Sequence, residues 1–355
     1  MKNYKNEIKE LIEEALAKGA SDIHLSVGQP PILRINRELF FLKQKEILSP
    51  DDTQALAFVI MTEEQIKRFA KEKEIDFSFN FENKFRLRAN VFFEKGNISI
   101  ALRVITSKIR TIEELNLPPI LHKFTKPTQG FVLVTGPSSH GKSTTLAALI
   151  DEINHTRTEH IITIEDPIEY IFSPDKCIID QREVYQDTQS FAKALRATFR
   201  QDPDVIMVGE MRDIETMATA ITAAETGHLV FATLHTNSAA QTIHRIVNSF
   251  PSLQQAQIRA QLSGSLLGVI SQRLIPREKG GLIPATEIMI NTPAVANLIR
   301  ENKIHEIPLV IETSAETGMI SLNRSLAELV KKGEISLENA LVYSLDPVEL
   351  QNLLK

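Results

Sequence analysis

Residues Gly136-Pro137-Ser138-Ser139-His140-Gly141-Lys142-Ser143 spell G-x-x-x-x-G-K-[ST], between the apolar run Phe131-Val132-Leu133-Val134 and the stretch Thr144-Thr145-Leu146-Ala147-Ala148-Leu149-Ile150. A loop of this kind cradles phosphate only where a buried strand turns into a helix, because there backbone N–H groups and the helix's positive end converge. The flanking residues predict that strand and that helix, and so an α/β fold organised around a phosphate site. Gly136 and Gly141 permit backbone angles and a close phosphate approach that a Cβ would obstruct. Lys142 offers a point charge to β- and γ-phosphates and Ser143 a hydroxyl to Mg²⁺. The expected ligands are therefore ATP, or another nucleoside triphosphate, and Mg²⁺. The expected binding set is Gly136, Pro137, Ser138, Ser139, His140, Gly141, Lys142, Ser143 and Thr144.

A chain of 355 residues has room for about two domains. Hydrophobic residues make up 43% and charged ones 24%, which excludes disordered and fibrous classes. There is no cationic-then-apolar N-terminal signal and no apolar stretch near the roughly 20 residues that span a bilayer, so a cytoplasmic location is expected. One cysteine, Cys177, excludes an internal disulfide and a multi-cysteine zinc site, and its apolar neighbours Ile178 and Ile179 predict a buried thiol. Net charge is −5; residues 1–110 carry 19 Lys and Arg against 16 Asp and Glu, the remainder 21 against 29. Neither part has the basic footprint of a nucleic-acid binder, so a protein partner is the better expectation.

Along residues 1–106 an amphipathic helix over 3–18 precedes short alternating runs and two further helical stretches. Three strand candidates close that segment, with Glu82-Asn83 and Lys95-Gly96 as turn signals. This reads as a small α+β domain. Residues 107–130, with Pro118-Pro119 and Pro127, read as a linker with one short helix at Ile112 to Leu115. From Phe131 to Val247 strands and helices alternate, and strands that are apolar on both faces indicate a mainly parallel sheet between helices. Residues 131–355 form the second domain, mostly helical from about 275 onward.

A reaction also requires acids and something to polarise water. Asp204-Val205-Ile206-Met207-Val208-Gly209-Glu210 is an apolar strand ending in a carboxylate, where open α/β sheets present residues to ligand, so Glu210 is the candidate for orienting and deprotonating the attacking water. Glu165-Asp166-Pro167-Ile168-Glu169 packs three carboxylates behind the strand His160 to Ile164. They stand either beside Mg²⁺ or a basic residue, or on an exposed acidic turn. His228 and His235 bracket the strand Leu229 to Leu234, too far apart for joint metal ligation. His235 is either a sensor of the γ-phosphate or a polar core residue. Arg86, Arg88 and Arg103 are either phosphate-stabilising arginines or one polar face of a sheet.

Together these segments resemble the secretion ATPase superfamily, and within it the type IV pilus retraction ATPases (PilT family). Gly19-Ala20-Ser21-Asp22-Ile23-His24-Leu25 is similar to that family's N-terminal motif. Glu165 to Glu169 looks like its Asp box, Val208-Gly209-Glu210-Met211-Arg212-Asp213 its Walker B, and Gly227 to His235 its His box. Ala294-Val295-Ala296-Asn297-Leu298-Ile299-Arg300-Glu301 is similar to the C-terminal retraction motif. The resemblance implies a RecA-like P-loop ATPase core, preceded by a small α+β PAS-like domain and carrying a helical C-terminal region. It implies a homohexamer at the cytoplasmic face of the inner membrane, working on the pilus platform protein, alongside a paralogous pilus ATPase. It touches the membrane only peripherally. Glu210 would then be the general base. Glu165 and Asp166 would hold metal or water, with Ser143 and Glu165 serving Mg²⁺, partly through water. His228 and His235 would couple nucleotide state to conformation, and Arg86, Arg88 and Arg103 would clamp phosphate.

Three departures stand out. Ser139 and His140 replace the usual Gly and Ser of the loop, and Ala296 replaces an arginine. The chain lacks the Cys-x-x-Cys insertion of extension motors. Two other functions fit the same core: a PilU-like, weakly hydrolysing ring subunit of a type IV pilus or type II secretion system, and a nucleic-acid motor, against which the missing basic stripe counts.

Overall fold

The computed structural model describes residues 2–35, 38–81, 85–105 and 109–355. Two compact units divide the chain, Met1–Ser107 and Lys108–Lys355. In the first, the strands are β1 (Asp22–Leu25), β2 (Ile32–Ile35), β3 (Glu38–Phe41), β4 (Glu74–Phe81), β5 (Phe85–Glu94) and β6 (Asn97–Ile105). They form one antiparallel sheet in the order β3-β2-β1-β6-β5-β4. Period-two alternation sends Leu87, Ala89 and Val91 of β5 into the core, while Arg86, Arg88 and Asn90 between them stay half-buried. The core is shared with the helices Tyr4–Ala17, Pro50–Ile60 and Glu63–Glu72. Ser49 with Asp52 and Thr62 with Gln65 start the latter two as reciprocal capping boxes, pairing N–H groups that the first turn leaves without partners. The turn expected at Glu82-Asn83 lies outside the described residues.

The second unit continues with β7 (Gly130–Thr135), β8 (His160–Glu165), β9 (Ile178–Glu183), β10 (Val205–Val208), β11 (Leu229–Leu234), β12 (Leu266–Pro276) and β13 (Leu282–Ile290). The sheet order is β13-β12-β7-β11-β10-β8-β9, parallel throughout except for the β12–β13 pair. Every residue of β7, β10 and β11 is buried, as strands covered on both faces must be. Phe131 and Leu133 pack to one side with the helices Ile214–Glu225 and Ala239–Ser249, whereas Val132 and Val134 pack to the other with Lys142–Thr156. Fully buried Phe131 and Phe231 each contribute about 1.5–3 kcal/mol of apolar burial.

Three expectations are corrected. The stretch read as a linker is part of the core: Ile112, Leu117, Leu121 and Phe124 are buried beneath the sheet. Its helical turn is a 3-10 segment at Pro119–Phe124 rather than a helix at Ile112 to Leu115. The region after residue 275 is not helical from its start, because β13 forms an antiparallel hairpin with β12, and helices begin only at Pro293. The helix Ser252–Ser265 was not anticipated either; no side chain caps its start and its sequence is largely polar. Cys177 is buried, with its thiol donating to the Arg157 carbonyl at 3.3 Å.

Candidate functional site

Parallel strands deliver their carboxyl ends to one edge of a sheet, and four consecutive neighbours in this sheet end in residues of chemical interest. β7 runs into the glycine-rich loop, β11 into His235, β10 into Gly209-Glu210, and β8 ends on Glu165. Register places Leu234 beside Thr135 and Val208 beside Ile164, so these ends are level.

The loop is shaped by backbone angles that favour glycine. Gly136 has φ 142° and Gly141 φ 79°, and Ser139 between them takes φ 63°. A Cβ on Gly136 would stand 2.3 Å from the Gln272 carbonyl oxygen, so the chain passes β12 at a distance only glycine allows. Gln272 then holds the loop from beneath, donating to the His140 carbonyl at 2.7 Å and accepting from Thr145 Oγ1 at 2.7 Å. Leu274 N–H donates to His140 Nδ1 at 2.9 Å. Thr144 Oγ1 meets the Tyr170 hydroxyl at 2.8 Å, and Ser143 is half-buried at the helix start. Lys142 is buried; its ammonium donates to the carbonyls of Gly136 at 3.0 Å and Pro137 at 2.9 Å, and burial lowers its pKa.

His235 joins this loop to the acid. Its Nδ1 lies 3.3 Å from Ser138 Oγ and 3.4 Å from Lys142 Nζ, while its Nε2 lies 3.2 Å from Glu210 Oε1. The other Glu210 oxygen takes Arg212 Nη2 at 2.8 Å. Burial alone would raise the Glu210 carboxyl, but Arg212 and then His235 outweigh it and hold it below the ordinary carboxylate range. A Cβ on Gly209 would crowd its neighbours, falling 3.3 Å from Glu165 Cα and 3.1 Å from the Ile164 carbonyl oxygen.

Glu165 is the opposite case. It is buried, and desolvation pushes its pKa up to about 7 despite hydrogen bonds from Thr163 Oγ1 at 2.7 Å, Gln181 Nε2 at 3.3 Å and Glu169 N–H at 3.4 Å. Asp166 and Glu169 are exposed, so the acidic cluster divides: one carboxyl buried among neutral donors and two facing solvent. Asp166 still acts electrostatically on Arg212.

Not every candidate converges. His228 immediately precedes β11, at the opposite end from His235: its carbonyl accepts from Gly130 N–H, at the start of β7, and its ring bonds to Ala223 O at 3.0 Å and stands edge-on to Phe199. It is thus at the far edge of the sheet from the loop. In the first unit Arg86 donates to Ser78 Oγ at 2.6 Å, Arg88 approaches Asp76 at 3.7 Å, and Arg103 donates to Asp22 at 2.9 Å, forming a paired polar sheet face. Sequence reasoning gave no role to Arg212, Gln272, Thr145 or Tyr170. Arg212 alone left a signal, two residues past Glu210; Gln272 lies far along the chain from the loop it supports.

The family model for a Type II/IV secretion system protein matches residues 2–306. A type IV pilus retraction ATPase, PilT, of Pseudomonas aeruginosa is 47% identical over 94% of this chain and 97% of that protein. The type IV pilus ATPase PilU of the same species is 40% identical over 98% of this chain and 91% of its own length. A crystal structure of the pilus retraction motor PilT with bound ADP superposes with a TM-score of 0.91 and 48% identity, covering 97% of this chain and 98% of that one. A loop, two carboxylates and a histidine level at one sheet edge, in a chain so similar throughout, place the protein in a family: it belongs to the Type II/IV secretion system proteins, among the type IV pilus retraction ATPases.

Proposed function

We propose that this chain is a motor that hydrolyses Mg-ATP to power retraction of a type IV pilus, and thereby twitching motility, working as a homohexamer through nucleotide-driven domain closure. The observation that carries the reading is the alignment of loop, His235, Glu210 and Glu165 on one edge of the parallel sheet. The cradle suits a polyphosphate: it has room only for glycine at residue 136, a helix N-terminus begins at Lys142, and a buried ammonium rests on two loop carbonyls that phosphate oxygens can replace.

Glu210, held as a carboxylate, orients water toward the γ-phosphorus; the water oxygen bonds to phosphorus, the bond to the ADP oxygen breaks, and the water proton passes to the carboxylate or to phosphate. His235, bridging Ser138 and Glu210, responds to the γ-phosphate. Ser143 would hold Mg²⁺ directly, and Glu165 with Asp166 partly through water; the ion would neutralise charge on the phosphates. Among the described residues no group of three or more His, Cys, Asp or Glu is arranged to hold a metal. Arg86, Arg88 and Arg103 could clamp phosphate only by exchanging their present partners in the sheet.

The partners proposed are further copies of this chain, the pilus platform protein and a paralogous pilus ATPase, at the cytoplasmic face of the inner membrane. No helix among the described residues is long and apolar enough to cross a membrane. A second reading, a PilU-like accessory ring member that binds ATP and scarcely turns it over, is favoured by Ser139 at φ 63° in the loop. Steady-state phosphate release combined with negative-stain imaging tests both. Rings of six with nucleotide-dependent shape and sustained turnover support the motor, rings without turnover support the accessory subunit, and monomers without turnover oppose both.

A further inference from the structure

β7 ends opposite Ser271, yet β12 continues to Pro276. Beyond that point no described strand pairs with β12 on the β7 side, so a β12 N–H turned that way has no strand carbonyl to meet. An N–H that loses water without gaining an acceptor is costly, and the part-buried Leu274 N–H finds its acceptor outside the sheet. His140 supplies it, with Nδ1 at 2.9 Å, while Gln272 of the same strand holds the His140 carbonyl at 2.7 Å. One residue of the phosphate loop is thus fastened to β12 at two points. The imidazole also stands edge-to-face with Tyr343, centroids 6.3 Å apart, at the end of the helix Leu337–Tyr343. The Tyr343 carbonyl in turn accepts from Arg273 of β12 at 2.7 Å.

We propose that His140 is a positioning residue: by taking the place of a missing strand beside Leu274 it keeps the phosphate loop in its receiving shape and ties that shape to the C-terminal helix ending at Tyr343. The inference rests on the nucleotide-binding reading above. A serine or alanine here is too short to reach Leu274 N–H. The unfastened loop then samples other shapes, and nucleotide has to reorder it. That cost falls on binding and not on the chemical step, because the bound complex is ordered either way.

The test compares His140→Ala and His140→Asn in the full chain, by ATP turnover and by isothermal titration with Mg-ATP. Asparagine Oδ1 occupies nearly the position of imidazole Nδ1 and can accept the same N–H. If the unfastened loop is in its receiving shape a tenth of the time, KM and Kd for His140→Ala rise about tenfold, kcat stays within about twofold, and His140→Asn falls back to within about threefold of the parent. Equal values for parent and alanine variant, or equal impairment of alanine and asparagine variants, overturns the proposal.

Since the chain has no tryptophan, Tyr343→Trp supplies a single tryptophan, excited selectively over the remaining tyrosines, beside His140. Its emission shifts on adding Mg-ATP if loop and helix are tied, and an unchanged spectrum in a protein that binds ATP overturns the link even if His140→Ala fails to fold. Lack of ATP affinity in the parent removes the functional reading itself, and this inference with it. A parent that binds beside an unresponsive His140 series removes this inference alone.

Discussion

Alanine at Gly136 puts a methyl group where the loop and β12 already touch. The new Cβ would lie 2.3 Å from the Gln272 carbonyl oxygen and 3.4 Å from its carbon, with φ at 142°. Both colliding partners are backbone, and Gln272 is pinned through its side chain by His140 O and Thr145 Oγ1, so no rotamer change relieves the contact. The unfavourable φ costs about 1–3 kcal/mol and overpacking against a fixed neighbour about the same again, giving about 2–6 kcal/mol together. For a unit of this size that lowers Tm by about 4–24 °C, at about 2–4 °C per kcal/mol. Whatever part is relieved by displacing the loop appears instead as weaker ATP binding, about tenfold per 1.4 kcal/mol. Gly227→Ala is the control: its φ is 111° but a Cβ there meets nothing within 4 Å, so backbone strain is incurred without a collision. Differential scanning calorimetry and titration with Mg-ATP should show Gly136→Ala losing both stability and affinity, and Gly227→Ala losing some stability only. A Gly136→Ala protein with the parent's Tm and the parent's Kd would refute the close approach.

Arg212→Ala removes the strongest influence holding the Glu210 carboxyl low, so the acid limb of kcat against pH should move to higher pH; an unmoved limb would separate Arg212 from the base. Glu287 is buried on β13, held by Ala239 N–H at 2.6 Å, and desolvation pushes its pKa up to about 7. Its contribution to stability is complete below the unfolded value near 4.5 and is lost as pH rises through about 7, because the unfolded carboxyl gives up its proton first. Glu287→Gln should therefore flatten the fall in unfolding free energy, measured by denaturant titration between about pH 5 and about pH 8, by on the order of 3 kcal/mol at most, and an identical slope in both proteins would oppose the assignment. Ser139→Gly relieves a side chain at φ 63° and should raise stability by about 0.5–1 kcal/mol. Turnover no higher than the parent's would show that Ser139 does not slow nucleotide handling.

The loop and the parallel core could be read from the chain because their signals are local. Phe131 to Val134 is apolar throughout, Gly136 and Gly141 fall at the bends, and Val205 to Val208 is a buried strand followed two residues later by a carboxylate. That Glu165 and Glu210 end neighbouring strands follows from sheet order, which local patterns do not encode. Gln272 was invisible for the same reason: a lone glutamine in an apolar run gives no hint that it lies beneath His140 and Thr145, 132 and 127 residues away. β13 leaves little local signal because Pro284 and the charged Glu287 interrupt Leu282 to Ile290, and tertiary pairing with β12 overrides that weak propensity. The three carboxylates at 165, 166 and 169 share a cluster in sequence but not an environment, since strand β8 buries the first and the following turn exposes the others.

The most direct test sets Lys142→Ala beside Glu210→Gln, measuring Mg-ATP binding by calorimetry and phosphate release on the same preparations. The loop-and-carboxylate arrangement predicts that the lysine variant loses binding, while the glutamine variant binds like the parent and releases no phosphate above background. Normal turnover by Glu210→Gln, or undiminished affinity in Lys142→Ala, would contradict it.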